Sequence, residues 1–302
     1  MTARKNLSVV VGFAMLCSML VLMGHIVPPA ASWGSLLAVW NDVMRDVDDF
    51  GLQLTTVPDR DEVAFGKELA LNFDRMLGND PDASRYVSEV AAALIPYTQR
   101  NGLPWRFRVV GGMLPNAFAL PGGQIYVTEG MLRFAESEAE LAYVVGHEMA
   151  HVDLRHCVRR YQYQLKLKKV GAGEVGEIAD VARLPIEIGY TKYQEMEADA
   201  EAARIASDAG YDPHAGVSLM FRFAAHEGSM TSAARTPGSE VAGASLEVLG
   251  DYLRSHPASA ERAAAIRDLL AAQHSRLAGH KYALGEENLR RRISISRQQF
   301  PK

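Results

Sequence analysis

Residues 141–156 read Leu-Ala-Tyr-Val-Val-Gly-His-Glu-Met-Ala-His-Val-Asp-Leu-Arg-His, and within them lies H-E-x-x-H, as His147, Glu148 and His151. On an α-helix, positions i and i+4 lie one above the other on one face. Two imidazoles at that spacing can therefore grip one zinc ion from a rigid backbone. Glu148 projects roughly 100° further round, which puts its carboxylate beside the metal's open position and not on the metal. That is the arrangement of a zinc hydrolase with a general base. Ser137-x-x-Glu140 is a capping box that starts this helix. Between Leu141 and Val152 the stretch is apolar nearly all round, which predicts a helix buried at the centre of a domain. Gly146, unfavourable in a helix interior, predicts the close approach of another backbone beside His147.

His156 invites a reading as third ligand, because some zinc proteases take a histidine from just beyond H-E-x-x-H. That class needs H-x-x-G-x-x-H, with a glycine to bend the chain back. Leu154 occupies the glycine position here, and His156 follows His151 by five residues instead of six. In a continuing helix, five residues place His156 about 140° from the metal face. His156 is accordingly expected to be solvated or to stand behind a ligand. The third ligand then falls to a carboxylate on a later helix, in Tyr193-Gln194-Glu195-Met196-Glu197-Ala198-Asp199-Ala200, a helical stretch running to about Asp208. Glu195 and Asp199 share a face by i, i+4 spacing. Glu195 would complete two histidines and one glutamate around zinc, leaving a fourth position for water. Asp199 would accept the free ring N–H of a ligand histidine. Glu197 points elsewhere and, with Glu201, is expected at the surface.

Upstream, two amphipathic helices are predicted, from about Asp61 to Met76 and from about Asp82 to Gln99, with Asn79-Asp80-Pro81 between them. The period then changes. Phe107–Val110, Asn116–Leu120 and Gln124–Val127 read as strands, the last two joined by Pro121-Gly122-Gly123. A small sheet directly before a metal-binding helix can offer its edge to an extended peptide. The fold class is therefore mainly α with a small β-sheet (α+β).

In combination, Asn116-Ala117-Phe118-Ala119 with Pro121-Gly122-Gly123, His147-Glu148-Met149-Ala150-His151 and Glu195-Met196-Glu197-Ala198-Asp199 resemble the HtpX/BepA/Oma-type zinc metalloendopeptidases. These form peptidase family M48, in the gluzincin group. The resemblance covers roughly Asp61 to Leu270. It implies a gluzincin-type domain with an active-site helix and edge strand, one zinc ion per chain, Glu148 as base and Glu195 as third ligand. Asn116, Ala117, Phe118 and Ala119 would hold protein or peptide substrate extended. Relatives also carry a His-Pro segment with an arginine beyond, matched here by His256-Pro257 and Arg262. By resemblance, His256 reaches the zinc in a closed state or, with Arg262, stabilises the oxyanion. From the residues alone, His256-Pro257 is a turn leading into a helix, and Arg262 a helix-surface residue.

The ends of the chain bear on location. Arg4 and Lys5 precede an apolar run from Leu7 to Met23, followed by Pro28-Pro29-Ala30-Ala31-Ser32. Residues 1–32 thus read as a secretory signal or as an uncleaved membrane anchor. Residues 33–302 read as a single metallopeptidase domain with its core at about 61–270. The body is expected in the exported compartment, a periplasm, either soluble or anchored to the inner membrane. The basic cluster Arg159, Arg160, Lys166, Lys168 and Lys169 reads as a solvated face, and 228–245, rich in Gly, Ser, Ala and Thr, as a loop. A net charge of −4 gives no footprint for nucleic acid. Two cysteines, Cys17 and Cys157, exclude a disulfide framework and a cysteine-bound zinc. The function that follows is an endopeptidase of misfolded or misassembled envelope proteins. Its rival is a chaperone-like assembly factor whose zinc site is kept shut.

Overall fold

Punctuation residues set the element boundaries. In the computed structural model, helix α1 (Asp59–Leu77) begins with Asp59, Asp61 and Glu62 in its first turn and stops at Gly78, the charge order a helix dipole favours. Asp80 then caps α2 (Pro81–Leu94), its carboxylate accepting from the N–H groups of Asp82 and Ala83, with Pro81 in the first turn where its missing N–H costs nothing. A 3₁₀ turn at Ile95–Tyr97 ends α2 short of the expected Gln99. Pro96 removes an N–H from the helix ladder there.

The structure describes residues 57–159, 190–233, 256 and 260–296, all within one unit, Val57–Lys302. The segment 1–32, residues 33–56, the basic residues Arg160 to Lys169 and residues 234–245 lie outside the described residues. Among those described, no helix is long and apolar enough to cross a membrane.

Strands β1 (Arg106–Val110), β2 (Ala117–Leu120) and β3 (Gln124–Thr128) form a mixed sheet in the order β1-β3-β2, with β1 parallel and β2 antiparallel to β3. Alternation sorts the side chains onto two faces. Ala117, Ala119, Ile125 and Val127 face the main core, while Phe118, Leu120 and Tyr126 face α1 through Leu69, Ala70 and Phe73. The turn between β2 and β3 requires glycine. Gly122 has φ +72°, and a Cβ there would lie 2.6 Å from the Cα of Val63 in α1.

Helices α3 (Glu129–Phe134), α4 (Glu138–Asp153), α5 (Lys192–Asp208), α6 (Ala215–Ala233), α7 (Ala260–Ala272), α8 (His274–Leu277) and α9 (Glu286–Arg291) follow. Every residue of α4 is buried, as its all-round apolar character requires. Its most extensive neighbour is α5, whose Ala202 backbone passes within 3.7 Å of the Cβ position of Gly146. The expected capping box is half formed. Ser137 accepts from the Glu140 N–H, but the Glu140 carboxylate reaches the N–H of Glu136 instead of the cap residue. Of the loop expected at 228–245, residues 228–233 are instead helical, because α6 runs to Ala233. Its core contacts at Leu219, Met220 and Phe223 anchor a helix that propagates onward.

Candidate metal centre

Helices α4 and α5 carry the centre on facing surfaces. The His147 and His151 Nε2 atoms stand 3.1 Å apart, and Glu195 on α5 faces both at 3.5 Å, Oε2 towards His147 and Oε1 towards His151. His256 brings Nδ1 to 3.3 Å from His147 Nε2 and 2.9 Å from Glu195 Oε1. These four buried residues each offer a ligand atom within 4.8 Å of the others. Glu148 is fully buried too but outside that group, with Oε1 3.5 Å from His256 Nε2.

The outer atoms decide what the inner ones can do. Asp199 Oδ1 lies 3.1 Å from His147 Nδ1. A carboxylate only accepts, so that ring nitrogen carries the proton and the neutral ring aims a bare lone pair from Nε2 at its neighbour. Two such lone pairs at 3.1 Å repel unless a cation or proton sits between them. Imidazole with carboxylate is a donor set that zinc takes. Without metal a proton takes the cation's place: burial alone would lower the His147 pKa, but hydrogen bonds and charge from Asp199 and Glu195 outweigh it and raise it to about 9. His151 is driven well below its ordinary value by burial.

Asp199 is itself held. Arg262 donates from Nε to Oδ2 at 2.7 Å and from a terminal nitrogen to Oδ1 at 2.8 Å, and Tyr143 donates its hydroxyl to Oδ1 at 2.9 Å. The other terminal nitrogen of Arg262 lies 2.8 Å from Glu195 Oε2. Burial pushes the Asp199 carboxyl up, yet the Arg262 charge and its hydrogen bonds hold it at about 2. The residue-level expectation that Arg262 lies on a helix surface is corrected. It is 2% exposed, because two buried carboxylates on α5 require a cation between them.

For His156 two places were expected, in solvent or behind a ligand. Of those two places it takes the second, buried behind a ligand, with Nδ1 3.0 Å from His151 Nδ1 and Nε2 3.4 Å from Glu197 Oε2. Glu197 is only partly exposed, and Glu201 pairs with Arg204. Tyr190, which sequence reasoning missed, stacks on His151 with ring centroids 3.7 Å apart and planes 14° from parallel. It has no periodic signal, sitting just before the Thr191 cap of α5. Tyr143 was findable, since it lies one turn before His147 on the same face.

The expected substrate strand is β2, which lies at the sheet edge. Thr128 N–H donates to the Asn116 carbonyl, so by antiparallel alternation the backbone of Phe118 faces β3 and that of Ala117 and Ala119 faces away. The Ala119 carbonyl is 3.7 Å from the Cys157 sulfur. The Phe118 side chain turns from the centre and stacks on Tyr126, centroids 4.9 Å apart.

The sequence model described as peptidase family M48 matches residues 81–270. Over 167 residues the chain is 31% identical to the mitochondrial metalloendopeptidase OMA1 of Schizosaccharomyces pombe, covering 53% of this chain and 50% of the relative. It is 27% identical over 154 residues to the beta-barrel assembly-enhancing protease of Escherichia coli, covering 45% of this chain and 32% of the relative. With the metalloprotease LoiP of the same species it shares 29% identity over 185 residues, 57% of this chain and 65% of the relative. The chain thus spans half or less of the first two relatives and just under two thirds of the third.

Proposed function

The chain belongs to peptidase family M48, and on that premise we propose that it is a zinc-dependent endopeptidase acting on proteins. One observation carries the proposal. His147, His151 and Glu195 converge from two helices while Glu148 stands beside them, buried and outside the ligand set. Those three residues would hold one zinc ion, which supplies Lewis acidity towards a peptide carbonyl and acidifies water. The Glu148 carboxylate receives the proton of the attacking water and returns it to the leaving amine nitrogen. Asp199 keeps the proton on His147 Nδ1, and Arg262 holds Asp199 and Glu195 in register. Substrate lies along β2, on the edge where the N–H and C=O groups of Ala117 and Ala119 face away from β3; Asn116 and Phe118 shape the strand and do not pair with the peptide.

The substrates we propose are misfolded or misassembled proteins of the cell envelope, with residues 1–32 exporting the chain or anchoring it there. Similarity to the beta-barrel assembly-enhancing protease supports that class. A second reading is favoured by one contact. His256 Nδ1 stands where the fourth ligand of a closed zinc site would be, and a closed site leaves no position for water. In that state the enzyme is latent and chaperone-like binding dominates.

Hydrolysis of a reduced, unfolded protein by wild type, Glu148→Gln and His256→Ala tests both readings. Endopeptidase function predicts internal cleavage by wild type and a loss of at least about a hundredfold in Glu148→Gln. A gate at His256 predicts faster cleavage by His256→Ala, whereas an oxyanion role predicts slower. Equal rates for wild type and Glu148→Gln would overturn the endopeptidase.

A further inference from the structure

Helix α4 ends where a straight helix would have carried His156 away from the centre. Leu154 closes it at φ −81° and ψ 3°, Arg155 takes φ +62°, and residues 156–159 turn helical again. A left-handed conformation is unfavourable for a residue with a Cβ, so something must hold Arg155 there. Its guanidinium donates to the Val57 carbonyl at 3.0 Å, to Glu62 Oε2 at 3.2 Å and to Asp59 Oδ1 at 2.5 Å. Glu62 is fully buried. It also takes Arg100 at 2.7 Å and the Gly122 N–H at 3.1 Å. The clamp therefore ties the start of α1, the β2–β3 turn and the exit of α4 to one carboxylate.

What the turn delivers is a ring nitrogen. In the zinc reading His151 Nε2 keeps its lone pair for the metal position it shares with His147 and Glu195, so the proton of the neutral ring belongs on Nδ1. Only 3.0 Å away stands His156 Nδ1, and two nitrogens at that distance require one hydrogen between them. With His151 donating, His156 accepts at Nδ1 and carries its own proton on Nε2, facing Glu197 Oε2 at 3.4 Å. Carboxylate, histidine and ligand histidine then form a single chain of donors and acceptors.

We propose that His156 is a positioning residue that fixes the tautomer and ring plane of His151, and that the Arg155 turn clamped by Glu62 puts it there. The inference rests on the zinc reading of the centre, and it assigns a role to a histidine lying outside the ligand set. Full-length protein carrying His156→Leu, His156→Asn, Arg155→Val and Arg155→Gly tests it. The readouts are zinc affinity, by chelator competition, and the His151 Nδ1–H signal in nitrogen-15 spectra of the zinc-loaded protein. His156→Leu is expected to weaken zinc about ten- to a hundredfold and to shift or lose that signal. His156→Asn, whose amide oxygen stands near the lost Nδ1, is expected to restore most of both. Arg155→Gly, at ease with positive φ, is expected to stay near wild type, while Arg155→Val follows His156→Leu. Unchanged affinity and signal in folded His156→Leu, or in Arg155→Val if His156→Leu does not fold, would overturn the inference alone. A wild type that binds no zinc would overturn the metallopeptidase reading and this inference with it.

Discussion

The two histidines of H-E-x-x-H sit one turn apart on α4, yet they are held from outside by different means. His147 Nδ1 meets a carboxylate directly, and that carboxylate is gripped by Arg262 and Tyr143 with no group of the network exposed. His151 Nδ1 meets a second imidazole, and the chain ends at Glu197, 38% exposed. The first side is a buried ionic network whose members depend on one another for their charge. The second is a neutral relay running out to partly solvated carboxylate. Damage on the Asp199 side should therefore reach stability as well as metal binding, and damage at the far end of the His156 side should scarcely reach stability at all.

The sharpest break of that contrast is Arg262→Met. It leaves Glu195 and Asp199 buried against each other without their cation, and a loss of about 3–5 kcal/mol in urea unfolding is expected. A loss under about 1 kcal/mol would mean the network is not what holds this side. A smaller effect concerns pH in metal-free protein. The Asp199 carboxyl sits at about 2, below its ordinary 3.8. Its contribution is therefore complete above about pH 4 and lost as pH falls towards 2, amounting to about 2 kcal/mol. The stability gap between wild type and Asp199→Asn should narrow over that window. A gap constant from pH 4 to pH 2 would contradict the assignment. Smallest of all is Glu197→Gln at the exposed end of the other side. Its stability is expected within about 1 kcal/mol of wild type, by the same unfolding measurement.

The same contrast marks what the sequence could disclose. Glu195 and Asp199 were legible because helical spacing alone puts them on one face, and an upstream H-E-x-x-H gives that face a purpose. The strands were legible from the change of period ahead of Phe107 and from the Pro121-Gly122-Gly123 turn, and the buried α4 from its lack of a polar face. The place of His156 was left open between solvent and the back of a ligand, because an angle counted along a straight helix takes no account of the turn at Arg155. Nothing local announces that turn. It depends on Glu62, 93 positions earlier, and on packing that brings α1 beside the exit of α4. From the residues alone, Arg262 was misplaced for a related reason. An arginine in a short helix looks like surface until two buried carboxylates are known to face it.

The claim at the centre of this account is that His147, His151 and Glu195 hold one zinc ion while Glu148 stands apart from it. Metal content by mass spectrometry, on wild type, Glu195→Ala and Glu148→Gln purified alike, tests it most directly. Wild type and Glu148→Gln are expected to carry one zinc per chain, and Glu195→Ala to have lost most of it. Undiminished zinc in Glu195→Ala, or its loss in Glu148→Gln, would contradict the assignment.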